Sequence, residues 1–212
     1  MADARFVPPE VLSPAGDEAR LKAALLYGAD AVYMAGTAYG MRTAPQNFDA
    51  DGLRRATEAV HAAGKRIYIT CNILPRNEDM AGLPSYLRFL NELRVDALIV
   101  ADLGLLTLAK RYAPEVPLHI STQLGVFNYE TARYLYELGA KRVVLARELS
   151  LREIAEIREK TPKTLELEAF VHGAMCMSVS GRCVISDYLT GREANRGACT
   201  LPCRWQYQII EP

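Results

Sequence analysis

The sequence predicts an α/β fold of the TIM type: a (β/α) barrel, incomplete or barely closed, with a cysteine-rich segment at its C-terminal end. Three observations predict it. Short apolar runs rich in Val, Ile and Leu alternate with amphipathic stretches, giving seven strands in order, the pattern of a parallel sheet covered on both faces. The joins from helix to strand echo one another, as LLYGADAVY, NELRVDALIV and YELGAKRVVL. No G-x-G-x-x-G follows the first strand, which weighs against a dinucleotide-binding doubly wound sheet.

The elements follow in order. Glu10 to Leu12 is a short first strand, stopped by Pro14 and Gly16. Asp17 caps a helix to about Tyr27, and Gly28 is its natural stop. Ala29 to Tyr33 is the second strand. The long loop after it, Gly36 to Asn47, carries Tyr39 and Arg42. Asp49 or Asp51 starts a helix through Ala63, Gly64 ends it, and Arg66 to Thr70 is the third strand. A helix over Leu83 to Leu93 leads to the strand Asp96 to Val100, and one over Leu103 to Tyr112 leads to Leu118 to Ile120. The last two units are Tyr129 to Leu138 with Arg142 to Leu145, and Leu151 to Lys160 with Leu165 to Val171. Only Gln206 to Ile210 offers an eighth strand, and the sequence stops just after it. The expectation is therefore an open barrel or the N-terminal part of a longer protein. Residues 1–171 form the barrel in this reading, and 172–212 a metal-binding segment packed on its mouth.

Composition narrows the function. The 212 residues suffice for one domain with a real core. Acidic and basic side chains number 25 each, which excludes a wholly basic nucleic-acid surface but leaves room for a local patch. No apolar run reaches the ~20 residues of a membrane span. The opening MADARFVPPE lacks the apolar core of a signal peptide, so the expected location is cytoplasmic. In that compartment clustered cysteines point to metal or redox chemistry rather than disulfides.

Catalytic groups in a parallel barrel come from the C-terminal ends of the strands. There the sequence places Asn72, Asp102, Ser121, Gln123, Arg147, Glu148 and His172. Asp102 and Ser121 are good helix caps. Asn72, Gln123, Arg147, Glu148 and His172 each follow an apolar strand and are expected to converge on one pocket, with Tyr39 and Arg42 as its rim. Glu148 suits a general acid or base, or equally a surface ion pair at a helix start. His172 suits a ligand or proton shuttle, or a histidine simply hydrogen-bonded in place.

Four of the five cysteines fall at 176, 183, 199 and 203, spaced C-x6-C-x15-C-x3-C. That is neither the paired C-x2-C of a zinc finger nor the C-x2-C-x2-C of a bacterial ferredoxin. Spread thiolates on loops suit a [4Fe–4S] cluster; zinc, or unliganded or disulfide-bonded cysteines, are the alternatives. Cys71 stands alone at a strand end and reads as a small buried residue.

The stretch EAFVHGAMCMSVSGRCVIS, Glu168 to Ser186, resembles the signature of the collagenase-like peptidase family, U-type family 32. LSPAGD at Leu12, YGADAVY at Tyr27, ARELSLREI at Ala146 and NRGACTLPCRW at Asn195 match it too. The resemblance implies an iron–sulfur protein of oxygen-independent or prephenate-dependent hydroxylation, acting on tRNA wobble uridine, a ribosomal RNA cytidine or a ubiquinone precursor. It further implies that Cys176, Cys183 and Cys199 are cluster ligands. The family's fourth ligand lies well downstream, and Cys203 is the nearest substitute here. No Ser–His–Asp order and no H-E-x-x-H accompany the family's peptidase name. A peptidase and a non-catalytic, partner-binding barrel stay as alternatives. For an RNA target, Arg182, Arg192, Arg196 and Arg204, interleaved with Tyr188 and Trp205, are expected to hold phosphates and stack on a base.

Overall fold

The computed structural model describes residues 8–41, 47–173, 176–179 and 182–210. Seven parallel strands lie side by side in the order of the chain: β1 (Leu12–Pro14), β2 (Ala31–Ala35), β3 (Arg66–Cys71), β4 (Ala97–Val100), β5 (Leu118–Ile120), β6 (Arg142–Val144) and β7 (Glu166–Glu168). Every neighbour pair is parallel. Such connections need a crossover, and helices supply it: α1 (Glu18–Leu26), α2 (Ala50–Ala62), α3 (Leu83–Glu92), α4 (Leu103–Tyr112), α5 (Tyr129–Glu137) and α6 (Leu151–Lys160). A short α7 (Ile185–Thr190) lies beyond the sheet. The result is a TIM-like half-barrel, as the alternation predicts.

Local chemistry explains the helix starts. Asp17, Asp49, Asp102, Asn128 and Ser150 each accept a backbone N–H of the first helical turn. Ser150 and Glu153 complete a reciprocal capping box. At the other end of α1, Gly28 takes φ +91°, a left-handed conformation that glycine adopts without strain.

The alternation within each strand makes two layers. Val32, Met34, Ile67, Ile69, Cys71, Leu98, Val100, Leu118, Ile120 and Val143 face the helices and form the main core with Leu53, Val60, Leu83, Leu87, Leu90, Leu105 and Leu135. Ala31, Tyr68, Ala97 and Ile99 make a smaller cluster on the opposite face, inside the barrel. Both faces are covered, which is why the strands read as continuous apolar runs.

The barrel interior turns polar at its foot, where strands begin. Arg142 is 7% exposed. Its guanidinium bonds Glu166 (2.8 Å), Glu168 (3.2 Å) and Glu10 (2.8 Å), and lies over the Tyr68 ring at 5.3 Å. Glu10 also accepts from the Tyr68 hydroxyl at 2.8 Å and pairs with Arg66. His119, 3% exposed, meets Tyr68 edge-on with ring centroids 4.8 Å apart. Burial, with Arg142 beside it, lowers the His119 pKa to about 3. Burial also raises the Glu168 pKa, against the pull of Arg142. Glu10, two residues before the start of β1, is therefore bound to β3 and β6 across the interior.

Three expectations are corrected. Gln206 to Ile210 is not an eighth strand: it pairs with no strand among the described residues, and Ile209 is 99% exposed. The seventh strand ends at Glu168 rather than Val171, because its partner β6 has only three residues to offer and Val171 is 98% exposed. The first strand runs through Pro14, shifted by two residues from the expected Glu10 start. Pro14 is tolerated because β1 is an edge strand with a partner on one side.

Candidate functional site

The loops at the C-terminal ends of the strands carry the expected polar residues. Asn72, directly after β3, accepts the Met41 N–H on its Oδ1 at 3.0 Å, which ties the loop after β2 to the end of β3. Gln123 lies in a 3-10 turn, Thr122–Leu124, that Ser121 caps after β5. Arg147, after β6, stacks its guanidinium over Phe170 at 4.1 Å, so it bears on the segment leading to His172. Glu148 and His172 are exposed. Asp102 and Ser121 serve as caps, as the sequence indicates.

Among the described residues no hydrogen bond or ion pair joins Asn72, Gln123, Arg147, Glu148 and His172 to one another. A cavity of about 370 Å³ lies at the end of β2, and Tyr39 lines it with Phe48, Tyr86 and Phe89. None of the five strand-end residues lines that cavity. Tyr39 packs its ring against Tyr86, with centroids 5.2 Å apart. Arg42 lies outside the described residues.

All four clustered cysteines are free thiols; Cys176, Cys199 and Cys203 are exposed and Cys183 is half-buried. The Sγ of Cys176 accepts the Ser178 N–H, and the Sγ of Cys199 accepts the Leu201 N–H, each at 3.4 Å. Backbone N–H donors of this kind tune thiolates that hold iron. Cys71 contrasts with them: it is fully buried, and burial pushes its thiol pKa up to about 12. Among the described residues no group of three or more His, Cys, Asp or Glu is gathered to hold a metal ion. The four thiols are donors of the chemical type a thiolate-held centre takes, but they are not gathered around a common point.

The cysteine segment is docked on the strand ends. The Leu74 N–H, after β3, donates to the Asn195 carbonyl at 3.3 Å. Arg196 forms a two-pronged pair with Asp79 at 2.6 and 3.0 Å, and Arg76 pairs with Glu193. Arg182 donates to the Leu124 carbonyl, after β5, at 3.1 Å. Within the segment the buried Ser186 hydroxyl accepts the Thr200 N–H at 3.1 Å and donates to the Arg192 carbonyl at 2.7 Å. The stretch between Cys183 and Cys199 thus carries its own helix and hydrogen bonds. Its order therefore does not depend on a metal bond alone.

Of the expected RNA-facing groups, Arg196 is spent on Asp79 and Glu193. Arg192 and Tyr188 are exposed, and Trp205 donates its Nε1–H to the Thr200 carbonyl at 3.2 Å. Sequence reasoning missed Asp79, whose only signal was its place in the loop after β3, and missed α7, which is too short for a helical period to show.

Comparison with known proteins adds a second line of observation. Residues 16–212 match the model of peptidase family U32. The chain is 44% identical over 203 residues to tRNA hydroxylation protein P1 of Bacillus subtilis, covering 96% of this chain and 48% of that protein. It is 40% identical over 200 residues to the 23S rRNA 5-hydroxycytidine C2501 synthase of Escherichia coli, covering 94% and 30%. A collagenase of Porphyromonas gingivalis is 35% identical over 210 residues, covering 94% and 50%. The chain spans about half the length of most curated relatives it matches, and less of the rRNA synthase. Among solved structures the U32 peptidase Mk0906 superposes with a TM-score of 0.65 at 19% identity, covering 80% of this chain and 71% of that one.

Proposed function

The chain belongs to peptidase family U32, and from that premise we propose that it takes part in hydroxylating a base of RNA, a tRNA wobble uridine or a ribosomal RNA cytidine, at an iron–sulfur centre on its C-terminal cysteines. The observation that carries the reading is the set of free thiols at Cys176, Cys183, Cys199 and Cys203, docked over the strand ends of a chain 42% identical to tRNA hydroxylation protein P of Escherichia coli. A [4Fe–4S] cluster held there would supply one-electron chemistry; zinc, the alternative metal, would not.

The chain's own residues do the rest. The Ser178 and Leu201 N–H groups donate to the Cys176 and Cys199 sulfurs and so fix where those sulfurs point. Arg192, just after α7, and the exposed ring of Tyr188 on α7 offer a phosphate contact and a stacking face. Prephenate is the small-molecule co-substrate to test first. An RNA substrate places the work in the cytoplasm. No described helix is long and apolar enough to cross a membrane.

The peptidase reading lacks a comparable observation. Among the described residues none of the three histidines bonds a serine or a cysteine. His61 pairs with Asp96 at 2.9 Å, His119 is buried at the barrel foot, and His172 is exposed.

The decisive experiment is anaerobic purification followed by iron and sulfide assay and an absorption spectrum. Mass spectrometry of tRNA and rRNA from a strain lacking the gene completes it. A brown protein and the loss of one hydroxylated nucleoside are expected. Colourless protein with undiminished hydroxylation would overturn the reading.

A further inference from the structure

Two independent sets of contacts hold the stretch from Cys183 to Cys199 before any metal is considered. The first fixes it to the barrel. Asp79 closes the 3-10 turn Asn77–Asp79 by accepting the Arg76 N–H at 2.6 Å. Its carboxylate then receives both prongs of the Arg196 guanidinium, at 2.6 and 3.0 Å. Glu193 takes Arg76 on one side and Arg196 Nε, at 3.5 Å, on the other. Asp79 is the better shielded partner, its side chain 14% exposed. The Arg196 bond holds its pKa below the usual carboxylate range. The second set closes the stretch on itself. Ser186, 0% exposed, bonds the Thr200 N–H, so the residue after Cys199 is tied to a residue three beyond Cys183.

We propose that Asp79, Arg76, Glu193 and Arg196 form a latch that holds the stretch carrying Cys199, and through the Ser186–Thr200 bond Cys183, against the loop after β3, and so reduces the ordering that metal binding must add. This rests on the iron–sulfur reading for its final step. Only Gly197 and Ala198 separate Arg196 from Cys199, three peptide steps with a reach of about 11 Å at most. Gly197, at φ +88°, makes the turn between them. A cysteine anchored this way gives up less freedom when it binds iron, and the affinity gained is the freedom already given up. Asp79 and Arg196 touch no ligand in this account; they act through the stretch they hold.

The test uses Asp79→Asn, Arg196→Gln and the charge exchange Asp79→Arg with Arg196→Asp. After anaerobic reconstitution, cluster loss to a fixed excess of chelator is followed by absorbance. Each single variant should lose its cluster about tenfold faster, in line with the loss of a charge-assisted two-pronged pair. The exchange should restore most of the wild-type rate, while barrel melting stays unchanged in all three. Single variants that lose the cluster at the wild-type rate would overturn the latch.

A metal-free measurement separates this from the iron–sulfur reading. Amide hydrogen exchange over residues 182–205 should quicken in the single variants and recover in the exchange. If the wild type takes up no iron but exchange behaves this way, the latch stands and the iron–sulfur reading falls. If exchange is unaltered, the latch is wrong whatever the metal content.

Discussion

Cys71 and Cys183 are the same residue type with opposite surroundings, and a matched pair of substitutions exploits that. Cys183→Ser should abolish a cluster chromophore, whereas Cys71→Ser should leave it intact. Cys71 is fully buried among apolar side chains, so Cys71→Ser should instead cost about 1–3 kcal/mol of stability for burying a hydroxyl, read by urea denaturation. His119 gives a pH prediction. Its folded pKa, about 3, lies below the unfolded value, so its neutral form is the one the fold accepts. Stability from this group is full above the unfolded histidine value of about 6.5 and is lost as pH falls from there toward 3. Arg142, Arg66 and Lys141 all oppose its protonation. Glu168, raised instead, works in the other direction and gains stability as pH falls. His119→Phe should therefore flatten the decline in urea midpoint between pH 7 and pH 4.5. An unchanged decline would mean that other groups set it.

At the level of single elements, α6 depends on its start. Ser150→Ala removes half of a reciprocal capping box and should cost about 1 kcal/mol, lowering the melting temperature by a few degrees. The helix itself, Leu151 to Lys160, was legible in the sequence, while its capping box came to light with the structure. The end of β7 was not. Its length is set by what β6 can pair with, and a run such as Leu165 to Val171 carries no mark of where its partner stops. Segment 182–205 was half legible in the same way. Its cysteines announced themselves by clustering. The pairing of Arg196 with Asp79, residues 117 apart, could be seen only once the fold had brought them together.

For the whole molecule, the barrel was readable because strands buried on both faces must be apolar throughout. The exception is the polar foot, where Arg142, Glu166 and Glu168 interrupt strands that sequence patterning treats as apolar. Arg142→Met would leave Glu166 and Glu168 without the cation they share with Glu10, which keeps Arg66, and should destabilise the fold by about 3–5 kcal/mol. The proposed RNA contact is likewise a property of the assembled surface. Arg192→Ala should weaken tRNA binding and make its dependence on log salt shallower by roughly 0.7–0.9.

The tie from Glu10 to Arg142 also carries a consequence in time. Each strand pairs with the one made just before it, so the sheet can grow strand by strand as the chain leaves the ribosome. Glu10 cannot follow that schedule, because its partner is synthesised 132 residues later. Until then, among the described residues, its carboxylate has Tyr68 and Arg66 to meet. A nascent chain stalled short of residue 142 should thus carry paired early strands around a foot that is still open, and the arrival of one arginine should close it.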